Sequence, residues 1–427
     1  MKVPEILNQK AAELEAYYQK HYPALARLAA PCFLNTMETT VEQLEDGSYF
    51  VITGDIPAMW LRDSAAQVML YTRYARDDAK LREILEGVIA KQAEQVCIDP
   101  YANAFNKDGS DPLRGHQDDT QLNAWVWERK YEVDSLCAPV YLAWNYYQNT
   151  GRGEIFTETW RAMAGHILAT FRAEQDHSAS PYSFQRYHCR PTDTLPCAGR
   201  GNPVAVTGLT WSGFRPSDDS CTYNYLIPAN MMAVCALRML ETILREQYKD
   251  EAAAREAQAL AAEINAAIGK YAVVEHPVFG KIYAYEVDGL GHTNLMDDAN
   301  SPSLLAIPYL GYAAKDDPIY LNTRRFVLSK ENPYFYEGKL ARGIGSPHTR
   351  PGYVWHIGLL MQALTSNDRE EILSLLEMLS NTHNGEYLMH ESFDPNDPAQ
   401  YSRPWFAWAN SLFAQLLTNL KEEKFFG

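Results

Sequence analysis

A chain of 427 residues with 46% hydrophobic residues is long and apolar enough to bury a large core, which excludes global disorder. Its formal net charge of −16 excludes a nucleic-acid backbone or an anionic membrane as partner, because both are gripped by clustered Lys and Arg. Seven cysteines, an odd number without a CxxC pair, read as reduced core residues and give no zinc site.

Helical periodicity recurs along the chain and predicts twelve helices. They cover about 5–29, 60–77, 79–95, 135–149, 155–174, 225–247, 249–269, 302–311, 316–329, 351–364, 368–383 and 402–420. The first is amphipathic, with charges throughout, and lacks the apolar region of a signal peptide. No apolar run approaches the ~20 residues of a membrane span, so the expected location is cytoplasmic. Leu81, Leu85 and Val88 form one apolar stripe, and Ala257, Leu260, Ile264 and Ile268 another. Asp317-Pro318 is a helix start, and Gly269 sits where a helix should stop. Short strands are expected at Tyr49–Thr53 and Lys281–Val287.

The connections alternate in length. Those after the odd-numbered helices are long, at about 30–59, 96–134, 175–224, 270–301, 330–350 and 384–401. Short links make antiparallel neighbours, so in an up-and-down order every long connection emerges at one end. The expected fold is all-α, one domain over 1–427. It is an (α/α)6 barrel of six helical hairpins, with its active-site loops at one end. An open solenoid would show a repeat of about 34–47 residues, and none is found.

The long loops concentrate carboxylates, aromatics and arginines. They carry Gly54-Asp55-Ile56-Pro57-Ala58-Met59-Trp60-Leu61-Arg62-Asp63-Ser64, then Arg114-Gly115-His116-Gln117-Asp118-Asp119. Next come Trp211-Ser212-Gly213-Phe214-Arg215-Pro216-Ser217-Asp218-Asp219 and Met296-Asp297-Asp298-Ala299-Asn300-Ser301-Pro302. The last are Arg342-Gly343-Ile344-Gly345-Ser346-Pro347-His348 and Met389-His390-Glu391-Ser392-Phe393, followed by Ser402-Arg403-Pro404-Trp405. Aromatic faces stack on sugar C–H surfaces, while Asp, Asn, Arg and His bond hydroxyls. His116, Gln117, Asp118, Arg215 and His348 are candidate sugar-binding residues on this reading.

Hydrolysing a glycoside takes one carboxylic acid to protonate the leaving oxygen and one carboxylate to activate water or attack the sugar. Candidates are Asp218, Asp219, Glu391, Asp298, Asp118 and Asp119, and spacing alone does not rank them. Asp-rich pairs near His could instead bind Ca²⁺ or Mg²⁺, but no HExxH, EF-hand or DDxxD pattern occurs. No metal or other cofactor is expected.

In the loops at 54–64, 213–219, 296–305 and 390–393 the sequence resembles glycoside hydrolase family 125, the exo-acting α-1,6-mannosidases. The resemblance implies a metal-independent, inverting enzyme that removes non-reducing terminal α-1,6-linked mannose from oligosaccharides such as N-glycan fragments. It implies Asp218 as general acid and Glu391 as general base. It places Trp60, Arg62, Asp63, Asp298, Asn300 and Arg403 around the terminal sugar. The alternatives are another helical-barrel glycosidase or phosphorylase acting on α-glucosides, and a sugar-binding protein without catalysis.

Overall fold

The computed structural model describes residues 2–110 and 118–427. Among them are fourteen α-helices: α1 (Glu5–His21), α2 (Pro23–Thr39), α3 (Leu61–Met69), α4 (Ala79–Ile98), α5 (Val133–Thr150), α6 (Glu158–Ala173), α7 (Pro196–Gly199), α8 (Ile227–Glu246), α9 (Glu251–Tyr271), α10 (Ile307–Leu310), α11 (Pro318–Val327), α12 (His356–Leu364), α13 (Arg369–Asn381) and α14 (Ala407–Glu422).

Two sets of helices alternate along the chain. In the first, α3 packs on α5, α5 on α8 and α8 on α10, while α14 packs on both α12 and α3. In the second, α4 packs on α6, α6 on α9 and α13 on α2. Burial follows this division. α8 is buried without a break from Ile227 to Leu237, as a helix surrounded by others must be. α9 buries one stripe, Ala254, Ala257, Leu260, Ala261, Ile264, Ala267 and Ile268, and turns its charged face to solvent. By length and composition α8 could cross a membrane, contrary to the expectation of no such stretch; 78% of its most apolar stretch is buried inside this fold.

Several helices differ from expectation for local reasons. The helix expected over 5–29 is two helices. Tyr22 precedes Pro23, whose ring disfavours helical backbone there; Tyr22 sits at φ −155° and ψ 79°, and Pro23 opens α2. The helix expected over 60–77 tightens into a 3₁₀ stretch at Leu70–Asp77. Asp317 caps α11, accepting from the amides of Ile319 and Tyr320, as expected. Gly269 does not end α9, which runs on to Tyr271.

The ten-residue helix expected over 302–311 is one turn, α10. The buried carboxylate of Asp297 captures the amides of Leu304 (2.8 Å) and Leu305 (2.9 Å), which holds the preceding segment in a turn. Burial pushes the Asp297 carboxyl up to about 8, although those amides favour its charged form. The folded protein therefore keeps a proton that the unfolded chain loses near pH ~4. This contribution to stability is complete below pH ~4 and is lost as the pH rises to about 8. Asp297→Asn should accordingly gain on the wild type across that window, read as the Tm difference between the two proteins against pH.

An all-α description is incomplete. Seventeen short strands are present among the described residues, and every one lies in the six long connections, which here run over 40–60, 99–132, 174–226, 272–306, 328–355 and 382–406. A chain crossing the end of a helical assembly must still pair its backbone N–H and C=O groups, and here it does so with its neighbours. Met59–Trp60 pairs with Ala104–Phe105, Tyr225–Leu226 with Glu286–Val287, and Val354–Trp355 with Ser392–Phe393. The ladders at 59–60, 225–226 and 354–355 stand directly before α3, α8 and α12. Each connection is thereby tied to another and to the start of a helix.

Candidate active site

Residues from five of the six long connections, with the first turns of α3 and α14, line one cleft of about 370 Å³. Its walls include Trp60, Arg62, Asp63, Asp218, Asn300, His348, Glu391 and Arg403. These are eight of the fifteen candidate residues named from the sequence.

Asp218 reaches the cleft on a hairpin tip. Phe214 pairs with Ser220, Asp218 N–H donates to Arg215 C=O (2.9 Å), and Arg215 N–H donates to Asp219 C=O (2.8 Å). This is a turn with Pro216 second and a left-handed residue fourth, a place that usually takes glycine. Asp218 fills it at φ 66°. Arg403, on the opposite strand pair, is also left-handed, at φ 47°. Non-glycine residues are uncommon in this region, and such strain concentrates at functional sites.

The hairpin separates two adjacent acids. Asp218 lines the cleft with its side chain 26% exposed. Asp219 is buried beneath, 3.2 Å from His348 Nδ1. Asp218 accepts from Asn103 Nδ2 at 3.3 Å, its carbonyl accepts from Lys130 Nζ at 2.8 Å, and Arg62 Nη2 lies 3.7 Å from its carboxylate. Burial raises the Asp218 carboxyl, but the Lys130 and Arg62 cations outweigh it and hold the group below its usual range. Burial lowers the His348 imidazole, but its bond to Asp219 and the nearby Glu391 and Asp218 charges raise it overall.

Glu391 is held from another direction. It accepts from Ser402 Oγ (2.8 Å), and Arg403 Nη1 stands 3.6 Å away. Arg403 is itself fixed by Asp55, with Nε 2.9 Å from Oδ1. Asp55 follows Gly54, at φ +136°, where a Cβ would lie 2.2 Å from the Trp405 carbonyl; only glycine lets these two connections close.

The cleft is rich in buried polar atoms that make no hydrogen bond within the protein. They include Trp60 Nε1, Ser217 Oγ and Asn300 Nδ2. Buried polar groups are nearly always bonded in folded proteins, so orphans gathered in one place mark where a polar ligand docks. The mixture of donors and acceptors beside Trp60, Trp355, Phe406 and Trp408 matches the hydroxyls and C–H faces of a sugar.

Three predicted residues serve the walls instead. Asp118 is paired to Arg186 by two bonds of 2.8 Å, away from the cleft. Arg215 bonds the buried Glu286 (2.6 Å) and anchors the hairpin from behind. Asp298 is fully buried behind Asn300, whose amide it accepts at 3.2 Å. His116 and Gln117 lie outside the described residues. Sequence reading missed Trp355, Phe406 and Trp408, and the acids Glu132 and Asp134 behind Arg62. A signal existed for the acids: they flank the start of α5 as Arg62 and Asp63 open α3.

Among the described residues, no group of three or more His, Cys, Asp or Glu is arranged to hold a metal ion. All seven cysteines are unpaired; four are buried, and Cys197 is exposed.

Comparison with known proteins places this architecture. A Streptococcus pneumoniae α-mannosidase, solved as a non-productive complex with α-1,6-mannobiose, superposes with a TM-score of 0.96. It shares 46% identity, over 99% of this chain and all of the other. The meiotically up-regulated gene 157 protein of Schizosaccharomyces pombe is 43% identical over 94% of this chain and 83% of its own length. A bacterial glucoamylase complexed with acarbose shares the fold at 13% identity and a TM-score of 0.58, over 98% of this chain and 57% of that one. Residues 22–418 match the family described as metal-independent alpha-mannosidase. The chain belongs to that family, glycoside hydrolase family 125.

Proposed function

We propose that this protein is an exo-acting mannosidase that removes non-reducing terminal α-1,6-linked mannose with inversion. Asp218 is the general acid and Glu391 the general base. The observation that carries this reading is the meeting of two carboxyl groups from distant loops, differently supported, in one small polar cleft. Asp218 protonates the glycosidic oxygen as the C1–O bond breaks. Glu391, aligned by Ser402 and Arg403, takes a proton from the water that attacks C1 from the other face. Charge accumulates on the sugar in this transition state, and the surrounding carboxylates favour it. The narrow cleft supports an exo mode, since it suits a terminal sugar better than a chain passing through. The two helix sets support the inner and outer rings of a single (α/α)6 barrel, with the laced connections forming its functional end.

NMR of the first product from α-1,6-mannobiose tests substrate and stereochemistry together. β-Mannose is expected before mutarotation sets in. α-Mannose appearing first would exclude inversion, and no mannose release would exclude the substrate.

A further inference from the structure

Four carboxylates surround the Arg62 guanidinium. Glu132 lies at 2.6 Å, Asp134 at 3.0 Å, Asp63 at 3.6 Å and Asp218 at 3.7 Å. Lys130 faces the group from the segment before α5, but it also serves Glu128 and Asp193. His348 faces it from the loop before α12 and is held by Asp219. Glu391 and Arg403 stand across the cleft and pair with each other. One guanidinium does not balance four anions in so dry a place, so the set retains a proton at neutral pH.

Glu132 and Asp134 each hold one oxygen on Arg62 and leave the other buried without a donor, and of the two Glu132 is the one whose carboxyl is bonded electrostatically to Asp218. Its side chain is fully buried. Oε2 is occupied by Arg62 and by Ser135 Oγ at 2.8 Å. Oε1 is buried and receives no donor from the protein. Glu132 and Asp218 flank the same guanidinium on its two terminal nitrogens, Glu132 at Nη1 (2.6 Å) and Asp218 at Nη2 (3.7 Å). Two ionised carboxylates cannot bond one another, whereas one proton between them makes a charge-assisted bond and satisfies the orphaned oxygen. Electrostatics agree: burial pushes Glu132 well above the ordinary carboxyl range, Arg62 opposes this, and the Asp218 charge adds to it.

We propose that Glu132 is a positioning residue that shares one proton with Asp218, storing it until a glycosidic oxygen arrives. This rests on Asp218 being the acid. The transfer conserves charge: protonated Glu132 and ionised Asp218 become ionised Glu132 and protonated Asp218. Asp218 then gives the proton to the leaving oxygen, and Glu391 takes one from the attacking water. Glu391 later releases its proton to solvent, and solvent returns one to the Glu132–Asp218 pair. The Glu132 charge left beside Asp218 keeps it protonated at pH values where Lys130 and Arg62 alone would strip it.

The test is the pH profile of E132Q on two substrates, α-1,6-mannobiose and an aryl α-mannoside whose leaving group needs no proton. On mannobiose, the basic limb of kcat/KM should move toward acid by about one pH unit, with a loss of about tenfold at neutral pH. The aryl mannoside should lose far less. Equal losses on both substrates with an unmoved limb would mean a merely structural role and overturn the proposal. Wild-type protein carrying ¹³C-labelled glutamate carboxyls gives a readout that does not depend on the variant folding. One protonated glutamate is expected at pH 7, and finding every glutamate ionised overturns the proposal. D218N separates the two readings. If it hydrolyses mannobiose at the wild-type rate, the acid assignment itself fails. If it is selectively impaired while E132Q is not, only the role of Glu132 falls.

Discussion

Asp218→Asn should lower kcat on α-1,6-mannobiose by about 10³-fold or more, near the upper range for a lost general acid. The asparagine fits the hairpin tip, because it tolerates left-handed backbone as well as aspartate does. It gives up the attraction to Lys130 and Arg62 that holds the Asp218 carboxyl below its usual range, so a modest loss of stability with the fold kept is expected. The loss of rate is therefore attributable to the missing proton. Two measurements check this: circular dichroism with a melting curve, and the rate on a mannoside whose leaving group departs as a stable anion. The second rate should fall much less than the first. Equal loss on both would assign Asp218 to sugar binding instead of proton donation.

Glu391→Gln should behave differently. Water activation is needed whatever the leaving group, so hydrolysis of both substrates should fall together, by about 10³–10⁴-fold. On the glutamine the remaining oxygen faces Arg403 and the side-chain NH2 donates to Ser402 Oγ, so the cleft keeps its shape. Calorimetric titration with α-1,6-mannobiose should show binding within a few-fold of wild type. Activity retained on either substrate, or affinity lost in step with rate, would remove Glu391 from the base role.

Local chemistry made much of this fold legible from the residue order. The alternation of short and long connections was readable because turn-rich segments interrupt helical periodicity at regular intervals. Eight cleft residues were readable because carboxylates, arginines and aromatics are costly to place together unless they do something. Less visible was which polar residues pair with each other. Asp118 and Arg215 look like ligands in sequence, yet Arg186 and Glu286 claim them from 68 and 71 positions away. Glu132 was hidden for the opposite reason: its partner Arg62 lies 70 positions back, and a buried acid carries no local mark of its isolation. Strands were legible at Tyr49–Val51 and Gly280–Tyr283, while ladders such as Met59–Trp60 and Tyr225–Leu226 escaped because two residues have no period to detect.

The left-handed hairpin tip has a further consequence, in engineering. Asp218 and Arg403 occupy backbone that glycine would adopt more cheaply, by about 1 kcal/mol or more at each position. Asp218→Gly and Arg403→Gly would relax that backbone but strip the contacts to Asn103, Arg62, Asp55 and Glu391, so the strain is held in place by the same groups that build the cleft. Stabilising this enzyme therefore means protecting the two places where its chain is locally least comfortable and seeking gains in the second helix set. The exposed faces of α9 and α13 have no reacting group to displace.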